Sequence, residues 1–274
     1  MTTHKTFNLA MLSVFAMMAG TATAFAEPTT VADVAIYGGN LSVFNDADGS
    51  DFNDGSVVGM NARLRNGMFQ LDLNSEAVNA GFDYKYSTQA IALHVINPTD
   101  FGTLGAMISL GEDGPGEVTV GGAPYTTLAL EGARAFGSTT IDAQIGYVTP
   151  QDDVYIDSAY YLYLGSVTPV TDSLSVKFNI SGARMAEAGT SDYSYLEAMS
   201  YGAFAEYAAS ENFSVYGGVS GSHIAEVSED EEWSSATVMV GLRIPLGKAT
   251  TQDLVFADHN PLTGVNHLRL NDWQ

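Results

Sequence analysis

Residues 236–246 read Ala236-Thr237-Val238-Met239-Val240-Gly241-Leu242-Arg243-Ile244-Pro245-Leu246. Every second residue from Ala236 to Leu246 is apolar, and the intervening positions mix Thr237, Met239, Gly241, Arg243 and Pro245. An extended strand sends successive side chains to opposite faces, so this stretch is a strand with one apolar and one mixed face. The same split recurs elsewhere. Leu174, Val176, Phe178 and Ile180 oppose Ser175, Lys177 and Asn179. Asp142, Gln144 and Gly146 share the second face of 141–147, and Phe213, Val215, Gly217 and Val219 oppose Ser214, Tyr216, Gly218 and Ser220.

Short turns join these segments in pairs. Asn66-Gly67 carries a two-residue hairpin signal. Further tight connections are expected at 97–100, 137–138, 168–172 and 210–212. Longer polar stretches at 45–55, 112–124, 149–154, 183–197 and 223–235 separate the pairs. The pattern predicts strands near 34–44, 56–65, 68–77, 82–96, 102–111, 125–136, 139–148, 155–166, 173–182, 198–208, 213–222 and 236–246. The connection near 78–81 is short for its place, which leaves ten strands as an alternative to twelve. Bulges are expected at Gly38-Gly39 and Thr88–Ala90, where the alternation slips.

The 274-residue chain carries 32 Asp and Glu against 10 Lys and Arg, a net charge of −22, and no cysteine. That balance argues against nucleic acid as a partner. Without cysteine there is no disulfide, no thiolate metal site and no lipidated Cys. Residues 1–26 combine a polar start with Lys5, an apolar run from Leu9 to Met18, and Ala24-Phe25-Ala26 ahead of Glu27. These features in this order are expected of a signal peptide. Beyond it, no stretch approaches the 18 or so apolar residues of a spanning helix. A membrane-spanning form would therefore be a closed β-barrel, the other architecture that satisfies its backbone internally.

Two features favour the membrane over a soluble sandwich or lipocalin-like barrel. Phe101, Phe136 and Phe213 lie beside short turns, and Tyr125, Tyr147, Tyr155 and Tyr195 lie near long loops, as two interfacial girdles require. The mixed faces also carry Lys, Arg, Asp and Glu repeatedly, which suits a wet lumen once the apolar faces meet lipid. The fold expected is all-β: an antiparallel up-and-down transmembrane barrel of about twelve strands, with short periplasmic turns and longer acidic external loops.

The export segment, the alternating segments and the final Val240-Gly241-Leu242-Arg243-Ile244-Pro245-Leu246-Gly247 resemble porin-like outer-membrane β-barrels of Gram-negative bacteria. The resemblance covers residues 34–247. It implies an integral outer-membrane protein in contact with lipid and lipopolysaccharide, inserted by the barrel-assembly machinery, conducting small hydrophilic solutes and open to oligomerisation. It implies no cofactor and no catalytic turnover. Residues 27–33 would form a periplasmic N-terminal segment. Such barrels usually end on an aromatic residue, whereas this chain continues through Lys248–Gln274, expected as a periplasmic tail.

The mixed faces supply the candidate site. Arg63, Arg65, Lys85, Asp142, Lys177, Glu206 and Arg243 are expected to line the channel, with Asp72, Asp83, Glu131 and Asp157 on the same faces. Opposed charges on a pore wall sort solutes by charge and size. The competing reading is a plugged lumen in which these groups only neutralise one another, a closed barrel presenting its acidic loops for interactions. Asp46, Asp48 and Asp51 resemble a calcium-binding loop in their carboxylates but lack EF-hand spacing, so a solvated acidic loop is the simpler expectation. His223, beside Ser220 and Ser222, is the one position where an outer-membrane lipid-modifying enzyme could carry a base. Adjacent strand residues face opposite ways, however, which argues against a His223–Ser222 pair.

Overall fold

A computed structural model describes residues 30–45, 51–80, 85–115, 123–150, 156–187, 195–226 and 231–246. The export segment and the tail expected from the sequence lie outside them.

Twelve strands follow one another: β1 (Thr30–Asn45), β2 (Asp51–Asn66), β3 (Phe69–Ala80), β4 (Lys85–Thr99), β5 (Gly102–Pro115), β6 (Ala123–Phe136), β7 (Thr139–Pro150), β8 (Ile156–Pro169), β9 (Leu174–Glu187), β10 (Tyr195–Ser210), β11 (Phe213–Glu226) and β12 (Glu231–Leu246). Each pairs antiparallel with its sequence neighbours, and β12 closes onto β1, so no sheet edge is left open. The count is twelve rather than ten. The doubtful connection is real, since β3 and β4 pair on either side of residues 81–84. Several strands run to 14–16 residues, longer than the ~9–11 that span a bilayer, and the extra length lies mostly toward the long connections. β1 also begins at Thr30, inside the stretch expected to precede the barrel.

The short connections behave as their sequences require. Asn66 pairs with Phe69 and Phe136 with Thr139, each closing a two-residue turn. Gly67 and Gly137 occupy those turns at φ of 59° and 63°, a left-handed conformation that glycine adopts without a Cβ clash. The expected bulges at Gly38-Gly39 and Thr88–Ala90 do not form. Pairing is continuous there, and the register shifts fall at Val43/Phe44, Ile156/Ser158 and Ala208/Ser210. At Gly39 a Cβ would collide with the carbonyl of Val238, so the alternation slips because two backbones approach closely, not because a residue is inserted.

The apolar faces turn outward. Val238 and Val240 are 62% and 61% exposed, with Leu130, Ile145, Leu162, Phe178 and Ile180 exposed on other strands, while Thr237, Gly241 and Arg243 are buried within. A soluble barrel would show the reverse. With hydrocarbon outside, each outward Val or Leu keeps an apolar neighbour and the closed ladder keeps every backbone group paired. Phe101, Phe136 and Phe213 are exposed at the short-turn rim. Near the opposite rim Tyr147 packs on Tyr160, ring centroids 4.7 Å apart, and Arg184 stacks 3.7 Å over Tyr195. Tyr125 departs from the girdle expectation: it is buried inside the barrel, its ring lying over Gly111 of β5. Tyr155 lies outside the described residues.

Candidate functional site

The inward faces divide the interior into two layers. Near the short turns lies a polar belt. Asp33, Arg63, Asp72, Lys177 and Arg243 each sit three residues inside the turn-side end of their strands, roughly 10 Å at strand rise.

One arc of the belt runs from β9 through β12 to β2. Arg63 Nε donates to Asp33 Oδ1 at 3.1 Å and its terminal nitrogen to Oδ2 at 2.5 Å, a two-point pairing set by the direct register of Asp33 with Arg63. Arg243 donates to the same Asp33 Oδ2 at 2.8 Å, and its Nε stands 3.2 Å from Glu206 Oε1. Glu206 also accepts from Ser214 Oγ at 2.6 Å and from Lys177 Nζ. Tyr216 lies beneath the Arg243 guanidinium, 5.5 Å from it.

The other arc runs from β3 to β8. Gln70 donates to Asp72 at 3.0 Å. His94 stands between two carboxylates, its Nε2 3.4 Å from Asp72 Oδ2 and its Nδ1 3.0 Å from Glu131 Oε2. Gln144 donates to Glu131 at 2.6 Å, touches Met107 Sδ at 3.8 Å, and accepts from Tyr161 hydroxyl at 2.6 Å. Together the arcs draw a side chain from all twelve strands. Burying so many polar groups is tolerable because most of them pair with one another; Arg243 Nε meets Glu206 as an ion pair without hydrogen-bond geometry.

Glycines let these side chains lie along the wall. Tyr161 covers Gly146 of β7, where a Cβ would strike its ring, and so reaches Gln144. Tyr37 crosses Gly59 of β2 in the same way and donates to Glu76 Oε2 of β3 at 2.7 Å.

Toward the long connections the inward face is largely apolar, with buried hydroxyls such as Thr127, Ser222 and Ser235 set among it. Leu41, Val57, Val148, Met185, Leu196 and Ile224 belong to one contiguous buried cluster, each at most 4% exposed. The interior is therefore not charge-lined throughout.

No family model matches the sequence, and no curated protein matches it. Solved structures do match the barrel. An outer membrane channel from Pseudomonas putida F1 superposes with a TM-score of 0.57 at 12% identity, covering 80% of this chain and 97% of that one. The NanC porin superposes at 0.51 with 9% identity, covering 78% and 98%. The fold is that of outer-membrane porins and channels.

Within this frame the residues singled out from the sequence separate. Arg63, Lys177, Glu206 and Arg243 meet in one network. Asp142 faces inward on β7, its carboxylate over Gly165 of β8. Arg65 is drawn toward the turn, its Nε donating to Gly67 carbonyl at 3.3 Å. Lys85 opens β4 in register with Asn79, and its side chain lies outside the described residues. The same holds for the side chains of Asp51 and Asp157, and Asp46, Asp48 and Asp83 fall outside entirely. Ser222 turns inward to bond Ser235 at 2.6 Å, while His223 meets Ser234 across the ladder, Nδ1 to Oγ 3.1 Å.

Sequence reasoning missed Asp33, His94 and the apolar layer. Asp33 falls in the segment expected to precede the barrel, although Val31, Asp33, Ala35 and Tyr37 share a period-two face. The apolar layer had a weaker signal: adjacent apolar pairs such as Val57-Val58 and Tyr147-Val148, where both faces are apolar.

Proposed function

We propose that the protein is a narrow outer-membrane channel for passive diffusion of small hydrophilic solutes. The observation that supports it is the polar belt, a ring of opposed charges inside a closed barrel with an apolar exterior. Arg63, Asp142, Lys177, Glu206 and Arg243 are the groups a solute would meet, with Arg65 at the turn-side mouth. Charged rings of this kind select solutes, and hydrophobic constrictions limit flow by dewetting, the role the layer around Leu41 and Met185 would take. Lipid and lipopolysaccharide would surround the barrel, and the barrel-assembly machinery would insert it.

The buried apolar layer favours a second reading, a non-conducting barrel that presents its acidic loops for interactions. Single-channel recording in planar bilayers decides between them. Discrete conductance steps from folded wild-type protein support the channel. Silence from folded protein, persisting when Leu41 and Met185 are both replaced by Ala, rejects it.

A further inference from the structure

The two arcs of the belt differ in charge, and that difference gives the channel a sign. The β9–β2 half-wall holds Lys177, Arg243 and Arg63 against Glu206 and Asp33. Among the described side chains, the β3–β8 half-wall holds Asp72, Glu131 and Asp142 against His94. In the ring order β7 stands opposite β1, so the cation-rich and carboxylate-rich walls face each other across the lumen.

The balance is also negative. The described inward side chains include six carboxylates, Asp33, Asp72, Glu76, Glu131, Asp142 and Glu206. Against them stand Arg63, Arg65, Lys177 and Arg243, and counting His94 as a cation still leaves an excess of acid. The cations of the belt are bound to carboxylates: Asp33 serves Arg63 and Arg243, and Glu206 serves Arg243 and Lys177. An anionic solute would have to displace one of these charge-assisted pairs. Asp142 differs. No cation pairs with it among the described residues, it is only partly buried, and it shares the space over Gly165 with the uncharged Tyr163 hydroxyl.

We infer that the belt passes small solutes bearing a positive charge, including zwitterions, in preference to anions, with Asp142 as the residue that sets this preference. A zwitterion would cross with its cationic group toward the β3–β8 wall and its anionic group toward Arg63 and Arg243. The chain's formal charge of −22 acts in the same direction by concentrating cations at the mouths. The inference rests on the channel reading above.

The test is the reversal potential of the full-length protein in planar bilayers under a KCl gradient. The wild type should show potassium favoured over chloride. A unit charge ~5 Å from a permeating ion in a water-like medium changes its Boltzmann weight about fourfold. Asp142→Asn should therefore lower the permeability ratio by up to about fourfold, Asp142→Lys should lower it further, and Asp172→Asn on an exposed turn should leave it unchanged. Chloride preference in the wild type, or a ratio unmoved by both Asp142 variants, overturns the inference. Silence of the folded protein both as wild type and with Leu41 and Met185 replaced by Ala is distinguishable from either outcome; it removes the channel itself and this selectivity with it.

Discussion

Replacing Asp33 by Ala tests whether the belt is held by its own ion pairs or by water. Asp33 is 1% exposed and accepts two bonds from Arg63 and one from Arg243. Its removal takes the only carboxylate bonded to Arg63 in the network and leaves Arg243 with Glu206, which Lys177 already shares. Breaking one side of a buried pair costs about 3–5 kcal/mol, because the remaining charge stays desolvated. The two guanidinium side chains are 13% and 10% exposed, so some water reaches them and the lower end, ~3 kcal/mol, is expected. The assay is urea-induced unfolding from phospholipid vesicles, with Asp172→Ala on an exposed turn as the control, expected within about 0.5 kcal/mol of wild type. The double variant Asp33→Ala/Arg63→Met should be less damaged than the sum of its singles, by ~1–3 kcal/mol. A loss for Asp33→Ala below about 1 kcal/mol would refute the reasoning, since pairs of that strength are typical of a solvated surface.

Gly146→Ala places a methyl against the Tyr161 ring and should cost about 1–3 kcal/mol of overpacking, read by the same urea titration. Val240→Arg sets a charge on the lipid face and should cost about 2–4 kcal/mol in vesicles, read by the same urea titration. Leu41→Ala combined with Met185→Ala thins the apolar layer and should raise single-channel conductance without altering the strand content seen by circular dichroism.

How far the site could be read in advance depends on where each partner sits along the chain. Arg63, Lys177, Glu206 and Arg243 are each visible as a charge interrupting the polar face of an alternating segment. Their pairing is not, because Asp33 and Arg243 are 210 residues apart and meet only when β12 closes onto β1. His94 has no charged neighbour in the sequence; the closed barrel sets it between Asp72 on β3 and Glu131 on β6. Tyr125 lies near a long connection, as a girdle residue would, but parity within β6 and the glycine at Gly111 turn it inward.

The chain's local order alone determined the architecture: period-two alternation, glycine-bearing turns and an apolar set on every strand suffice to specify antiparallel strands that must close, because in lipid an open edge would leave backbone groups unpaired. Closure of the cylinder decided the interior. Which charges neutralise one another, which carboxylate stays open, and where an apolar layer crosses the lumen depend on register around a ring and on distances across it. Those are contacts between residues far apart in sequence, and no local pattern encodes them.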